Sequence, residues 1–266
     1  MNNRISLFRP ILKSFIRPFF IAIQFLTRIP TPQMDNISEK EIGHSLLFYP
    51  LVGFIIGLLL VAIAWSTNGV SSFLSAALLL TVWVLITGAL HIDGLADSAD
   101  AWIGGNGDKE RTLKIMKDPS SGPVAVTIVI LILLLKLTAI ESIISTGDIL
   151  LLILAPIMAR AYMPLLLLNT PYVRNNGLAS AIINNLPSVR HIYGISYLVA
   201  LFVCITGFYF FGIGGTTIII ISLAVFILAR KLMQKRIDGT TGDTAGAMLE
   251  VIETVTLITI AILLSK

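Results

Sequence analysis

Seven apolar windows, each close to the roughly 20 residues that a helix needs to cross a bilayer, occupy most of this sequence from Ser45 onward. They run from Ser45 to Trp65, Val70 to Leu90, Val124 to Ile144, Asp148 to Leu168, Ile192 to Phe211, Gly215 to Ala229 and Thr244 to Leu264, the window before Arg230 being the shortest. In lipid every backbone polar group needs an internal partner, and an apolar run of this length meets that demand as a helix. With 56% hydrophobic residues and a mean hydropathy of +0.90, the chain is too apolar for a soluble domain. The expected fold class is all-α: a polytopic integral membrane protein of about seven transmembrane helices, forming one domain over residues 1–266.

Residues 1–43 are basic and hold only a short apolar patch, Phe19 to Leu26, between Pro18 and Arg28. The patch is too short to span, and no small-residue cleavage site follows it, so a secretory signal is not expected. An interfacial or re-entrant segment is, with Arg4, Arg9, Lys13 and Arg17 toward anionic headgroups. The lone Cys204 lies inside an apolar window and reads as core packing.

Given seven spans, sixteen Lys and Arg fall on one side, in residues 1–44, 91–123, 169–191 and 230–243, and only Lys266 on the other. The positive-inside rule then expects the N-terminus in the cytoplasm and the C-terminus outside. It also sends two acidic clusters to the same cytoplasmic face.

The first cluster, His91-Ile92-Asp93-Gly94-Leu95-Ala96-Asp97-Ser98-Ala99-Asp100, sits in a loop region, 91–123, at the edge of an apolar run. Its aspartates stand at i, i+4 and i+7, one face of a helix. Capping at a helix start explains one acid well and three poorly; a divalent cation held by oxygen ligands would neutralise all three. The second cluster, 230–253, runs through Asp238-Gly239-Thr240-Thr241-Gly242-Asp243 and continues into its helix as Glu250 and Glu253. Acids at that depth face a polar cavity rather than lipid.

Lys136 and Arg160 fall near the middle of predicted spans, where cations pair with acids. Arg160 is the stronger candidate for a substrate contact, because a guanidinium grips phosphate bidentately. Between the first acidic cluster and the next span lies a basic stripe, Arg111, Lys114 and Lys117, followed by Asp118. Metal beside Arg and Lys is what a diphosphate requires. Residues alone therefore point to a metal-dependent membrane enzyme that cleaves a phosphoanhydride or diphosphate ester at the cytoplasmic face. Gly104-Gly105-Asn106-Gly107 lacks the strand and the Lys-Ser/Thr ending of a phosphate loop. No nucleic-acid partner is expected.

The segments His91 to Asp100, Arg111 to Asp118, and Gly239-Thr-Thr-Gly-Asp-Thr-Ala-Gly-Ala247 with Glu250 and Glu253 together resemble the cobalamin synthase, or adenosylcobinamide-GDP ribazoletransferase, family. Phe25-Leu-Thr-Arg-Ile-Pro-Thr-Pro32 and Phe48-Tyr-Pro-Leu-Val-Gly53 look like its N-terminal signatures, so the resemblance covers nearly the whole chain. It implies transfer of α-ribazole, or its 5′-phosphate, to adenosylcobinamide-GDP, giving adenosylcobalamin, or its 5′-phosphate, and GMP. Magnesium is the implied cofactor. On that resemblance Asp93, Asp97, Asp100 and Asp243 are the expected metal ligands, with Glu250 and Glu253 as ligands or supports. Arg111, Lys117 and Arg160 would hold phosphate oxygens, and Asp118 or His91 would take the attacking hydroxyl's proton. Implied partners are the two substrates and the lipid bilayer of the cell membrane, inner or plasma; homo-oligomerisation and contact with other corrinoid enzymes stay open. One departure stands out: after Met116-Lys117-Asp118 this chain continues Pro119-Ser120-Ser121, where many relatives carry a Ser-Arg-type continuation.

Three alternatives remain. Asp93-Gly94-Leu95-Ala96-Asp97 begins like a CDP-alcohol phosphotransferase motif, but Ser98 stands where that motif has Arg. A membrane prenyltransferase also uses two Asp-rich clusters. A cation transporter would use Glu250, Glu253, Lys136 and Arg160 as coupling residues, near the midplane.

Overall fold

The computed structural model describes residues 15–174 and 178–266. Arg4, Arg9 and Lys13, expected at headgroups, lie outside the described residues. The described chain is helical; its sole β pairing is an isolated parallel bridge between Tyr172 and Thr240.

Each of the seven apolar windows is a helix. After α1 (Phe15–Leu26) and α2 (Glu39–Ser45), they are α3 (Tyr49–Ser66), α4 (Ser72–Thr87), α7 (Pro123–Thr146), α8 (Leu154–Asn169), α10 (Val189–Phe211), α11 (Thr216–Ile237) and α12 (Gly242–Leu264). Between them stand the shorter α5 (Leu90–Gly104), α6 (Lys109–Ile115) and α9 (Leu178–Asn184). Five apolar runs are long enough to cross a membrane, and the bent pair α4 and α5 makes a sixth. One of those runs, Val189–Ile237, is a hairpin. Tyr193 near its start and Arg230 near its end both bond to Asn169, at 3.2 and 2.5 Å. Counted as two helices, that hairpin brings the candidate spans among the described residues to seven, the number of apolar windows.

The N-terminal segment is more deeply integrated than an interfacial helix would be. At 12 residues α1 reaches only about 18 Å at 1.5 Å per residue, too short to span. Yet Ala22 and Leu26 are fully buried, and Phe25 stacks on Tyr49 with ring centroids 6.0 Å apart. Arg17 is paired with Glu41 at 2.7 Å and donates to the Asp35 and Asn36 carbonyls, so it serves the loop after α1 rather than headgroups.

The region expected as an Asp-rich loop, 91–123, is mostly the helices α5 and α6. Gly88 and Ala89 both adopt left-handed backbone, with φ of 63° and 54°. This double turn breaks the helix and sends α5 off at 87° to α4. We read α5 as lying along the membrane face, outside the spanning segments, because it carries the three aspartates and leads into the polar α6. α8 and α12, among the most buried of the spans, form the centre against which α3, α5 and α7 pack.

Candidate active site

The site is the junction of α5 with the start of α12. Gly94 makes it: a Cβ there would fall 2.7 Å from the Asp243 carbonyl oxygen, so only glycine lets the two helices meet at this level. At the head of α12, Thr241 is the N-cap. Its hydroxyl accepts from the Thr244 N–H, and the Thr244 hydroxyl accepts from the Thr241 N–H, a reciprocal cap that fixes Asp243 in the first turn. The loop before α12 is tied to the chain after α8, with the Val173 N–H donating to Thr240 and the Thr240 N–H to Pro171. Tyr172 and Arg174 are thereby carried to the same place.

A cavity of about 150 Å³ opens here, with Asp93, Asp243, His91, Tyr172, Phe25 and Tyr49 in its wall. Asp93 is exposed and Asp97 half-buried. No hydrogen bond or ion pair ends on either carboxylate among the described residues. Burial, together with the charges of Asp93 and Asp243, pushes the Asp97 carboxyl up to about 6. Asp243 is not free: Arg174 Nη2 meets its Oδ2 at 2.6 Å. Burial pushes the Tyr172 phenol up, keeping it a neutral donor. His91 is 4% exposed, and its Nδ1 is buried without a partner.

The expected six-acid ligand set does not assemble. Asp100 is turned away to the start of α7, where its oxygens accept from the Gly122 and Ala125 N–H groups at 2.5 and 2.9 Å. It caps a helix whose own N-cap, Gly122, has no side chain. Glu250 and Glu253 lie deeper and are spoken for. Lys136 Nζ reaches Glu250 Oε2 at 2.5 Å and Glu253 Oε2 at 2.6 Å, and Arg160 Nη1 reaches Glu253 Oε1 at 2.5 Å. Two cations and two anions balance, and the ammonium also sits 4.7 Å over the Trp83 ring. Arg160, whose side chain is 0% exposed, is thus a counter-ion within the bundle and not a cavity-lining phosphate contact.

Arg111 and Asp118 are exposed along a shallow depression on α6, and Lys117 is exposed next to them. Asp118 accepts from the Ser120 N–H at 3.0 Å, which holds its carboxyl below the usual range, and it is not in the wall of the acid cavity. The two proton-acceptor candidates are therefore separated, and only His91 lines that cavity. A larger apolar cavity of about 430 Å³ lies among α5, α7, α11 and α12 and contains none of the expected site residues.

Among the described residues no three His, Cys, Asp or Glu side chains are grouped to enclose a metal ion. The donor set present fits magnesium, which keeps its waters and takes one or two carboxylates plus substrate phosphates: Asp93 and Asp97 accept from no group among the described residues, and burial first, then the Asp93 and Asp243 charges, raise the Asp97 carboxyl.

The sequence profile of the family described as cobalamin-5-phosphate synthase matches residues 18–261. The chain belongs to that family. Adenosylcobinamide-GDP ribazoletransferase of Pseudomonas aeruginosa PAO1 is 46% identical over 253 residues, 94% of this chain and 100% of that protein. The enzyme of the same name from Pseudomonas putida W619 is 51% identical over 239 residues, 89% of this chain and 95% of its own. No solved structure matches. The geometry gives the resemblance to the cobalamin-5-phosphate synthase family a spatial meaning. Phe25 and Tyr49, from the two N-terminal signatures, and Asp93 and Asp243, from the acidic segments, share one cavity wall. Arg174 and Tyr172 were not legible as site residues, because Thr170 to Arg174 reads as a plain loop whose arginine counts only toward topology.

Proposed function

We propose that this chain transfers α-ribazole, or its 5′-phosphate, to adenosylcobinamide-GDP, releasing GMP and forming adenosylcobalamin or its 5′-phosphate. The transfer takes place at the cytoplasmic face of the cell membrane, with the N-terminus in and the C-terminus out. Family membership over nearly the whole chain carries the chemistry. The α5–α12 junction supports the location, because Asp93 and the Arg174–Asp243 pair come together there.

Asp93 and Asp97, with Asp243 when Arg174 is drawn off it, would hold magnesium. Bound there, the ion would offset charge on the diphosphate and on the departing phosphate. Arg174 is placed to exchange Asp243 for a phosphate oxygen, a charge-assisted bond of similar strength. Arg111 and Lys117, exposed on the basic stripe, screen the donor as it approaches. The acceptor ribose hydroxyl attacks the phosphorus attached to the aminopropanol arm of cobinamide. The new oxygen–phosphorus bond forms, the bond to the GMP oxygen breaks, and GMP leaves with that electron pair. His91 lines the cavity, but burial and the Arg160 charge push its imidazole down to about 3, so we assign it to orient the acceptor as a neutral hydrogen-bonding group, and the hydroxyl proton to an unpaired carboxylate of the site, Asp93 or Asp97.

Purified protein incubated with adenosylcobinamide-GDP, α-ribazole and magnesium should yield the cobalamin product and GMP in equal amounts on chromatography. Pyrophosphate release in place of GMP, or metal uptake by proteoliposomes without turnover, would overturn the proposal.

A further inference from the structure

A second cavity, of about 440 Å³, lies between the end of α1 and the α4–α5 elbow and shares Phe25 and Leu90 with the acid cavity. Its wall carries no carboxylate and one cation, Arg28, beside Gln24, Thr27 and Thr87. Arg28 is held in place from two directions. Its N–H donates to the Ile86 carbonyl at 2.6 Å, and its stem lies across Gly88, where a Cβ would come within 2.3 Å of Nε and 2.7 Å of Cγ. Yet the guanidinium makes no hydrogen bond or ion pair among the described residues.

A cation near the negative end of α4 is the plain structural explanation. The last carbonyls of α4, however, are already satisfied by backbone. Val84 accepts from Ala89, Leu85 from Gly88, and Ile86 from the N–H of Arg28 itself. Gln24, for its part, donates to Thr31. Arg28 is exposed at the cavity, so water hydrates its guanidinium in the free protein, and with no carboxylate in the wall an anion from outside the chain can displace that water.

We propose that this cavity is the acceptor subsite, and that Arg28 binds the phosphate monoester of a phosphorylated acceptor nucleoside. This rests on the transferase reading above. A two-substrate transfer needs the acceptor hydroxyl beside the diphosphate, and the shared wall at Phe25 and Leu90 supplies that adjacency. Phe25, stacked on Tyr49 at an interplanar angle of 22°, gives the boundary a flat apolar surface for an aromatic base. The signs are also segregated: the acids take the metal and the donor, and the lone arginine takes the acceptor's phosphate away from them.

The test is steady-state kinetics of the full-length protein with α-ribazole and with its 5′-phosphate, for wild type, Arg28→Lys and Arg28→Ala. In Arg28→Ala, kcat/KM for the phosphorylated acceptor should fall on the order of 50-fold, the usual cost of a lost bond to a charged group. Values for unphosphorylated α-ribazole and the KM for the donor should stay within about twofold, and Arg28→Lys should recover part of the loss because it keeps the charge. Equal losses on both acceptors would show a packing role at the elbow and overturn the subsite, as would no loss at all. Should the variants fail to fold, wild type still decides: inorganic phosphate must inhibit competitively against the phosphorylated acceptor and not against the donor, and the reverse pattern sinks the proposal. Absence of product from either acceptor in wild type would instead strike the transferase reading, and this inference with it.

Discussion

Arg174 Nη2 and Asp243 Oδ2 meet at 2.6 Å, joining the loop after α8 to the first turn of α12 at the Asp243 wall of the acid cavity. Each side chain keeps about a quarter of its surface exposed, so the pair is accessible and exchangeable. On the proposed mechanism it would link two demands of the reaction, because an acid for the metal and an arginine for a phosphate would be released together.

Removing Arg174 should therefore have opposite effects on the two ligands. In Arg174→Ala the donor's kcat/KM is expected to fall by roughly 100-fold, as when one transition-state donor is lost. Magnesium binding to the substrate-free protein should tighten, since Asp243 becomes available. Weaker metal binding in that variant would show that the arginine organises the acids and does not compete with the ion.

Asp93→Asn and Asp97→Asn keep the shape of the side chains and lose the charge that holds a divalent ion. Both variants should insert normally and lose turnover by at least about 100-fold. Excess magnesium should restore part of the activity. Asp100→Asn should behave differently: it weakens the cap on α7, costing about 1 kcal/mol of stability, and leaves the magnesium dependence unchanged. A shifted magnesium curve for Asp100→Asn would return that residue to the site.

How much of this was legible in the sequence follows from the range of the interactions. The seven windows each became a helix, because length and hydropathy are local properties. Even α11, expected to end at Ala229, fails only at its boundary: its last two turns, through Lys235 and Arg236, are polar yet remain helical. The i, i+4, i+7 stripe correctly describes α5, but periodicity says nothing of what faces it. Asp93 lines the cavity and Asp97 stands half-buried one turn further along, whereas Asp100 meets the start of α7. In the same way Glu250, Glu253 and Arg160 have the types and depth of site residues. Only tertiary packing shows that they neutralise one another through Lys136. Arg174 is brought to Asp243 by one backbone pairing, that of Val173 with Thr240, and no motif announces it.

The buried network gives a stability prediction that separates it from the site. Arg160→Ala leaves Glu253 with one cation instead of two, and breaking a buried pair costs about 3 to 5 kcal/mol. The variant should unfold at lower temperature in detergent. Arg160→Lys should retain most of its donor KM, since the residue pairs with Glu253 and does not line the cavity. A large rise in donor KM for a stable Arg160→Lys variant would contradict that assignment.

The pH dependence follows from Asp97. Its carboxyl is raised to about 6 in the metal-free protein, so the folded chain binds this proton more tightly than the unfolded chain does. The metal-free protein should therefore gain stability as pH falls from about 7 toward 4 and lose it as pH rises through 6. Magnesium needs the charged form, so its apparent affinity should weaken over the same fall, approaching tenfold per pH unit well below 6. Asp97→Asn should flatten the stability profile between pH 4 and 7. An unchanged profile would remove Asp97 as its source.

The central claim is that α5 and α12 form one magnesium-dependent transfer site from Asp93, Asp97 and Asp243, while Glu250 and Glu253 belong to the bundle. GMP release measured across a magnesium titration tests it most directly, in wild type, Asp97→Asn, Asp243→Asn and Glu250→Gln. The account predicts half-maximal magnesium raised by tenfold or so in the two aspartate variants. In Glu250→Gln it should stay at the wild-type value, even where that variant is less stable. Wild-type magnesium curves for both aspartate variants, with the shift appearing in Glu250→Gln, would contradict it.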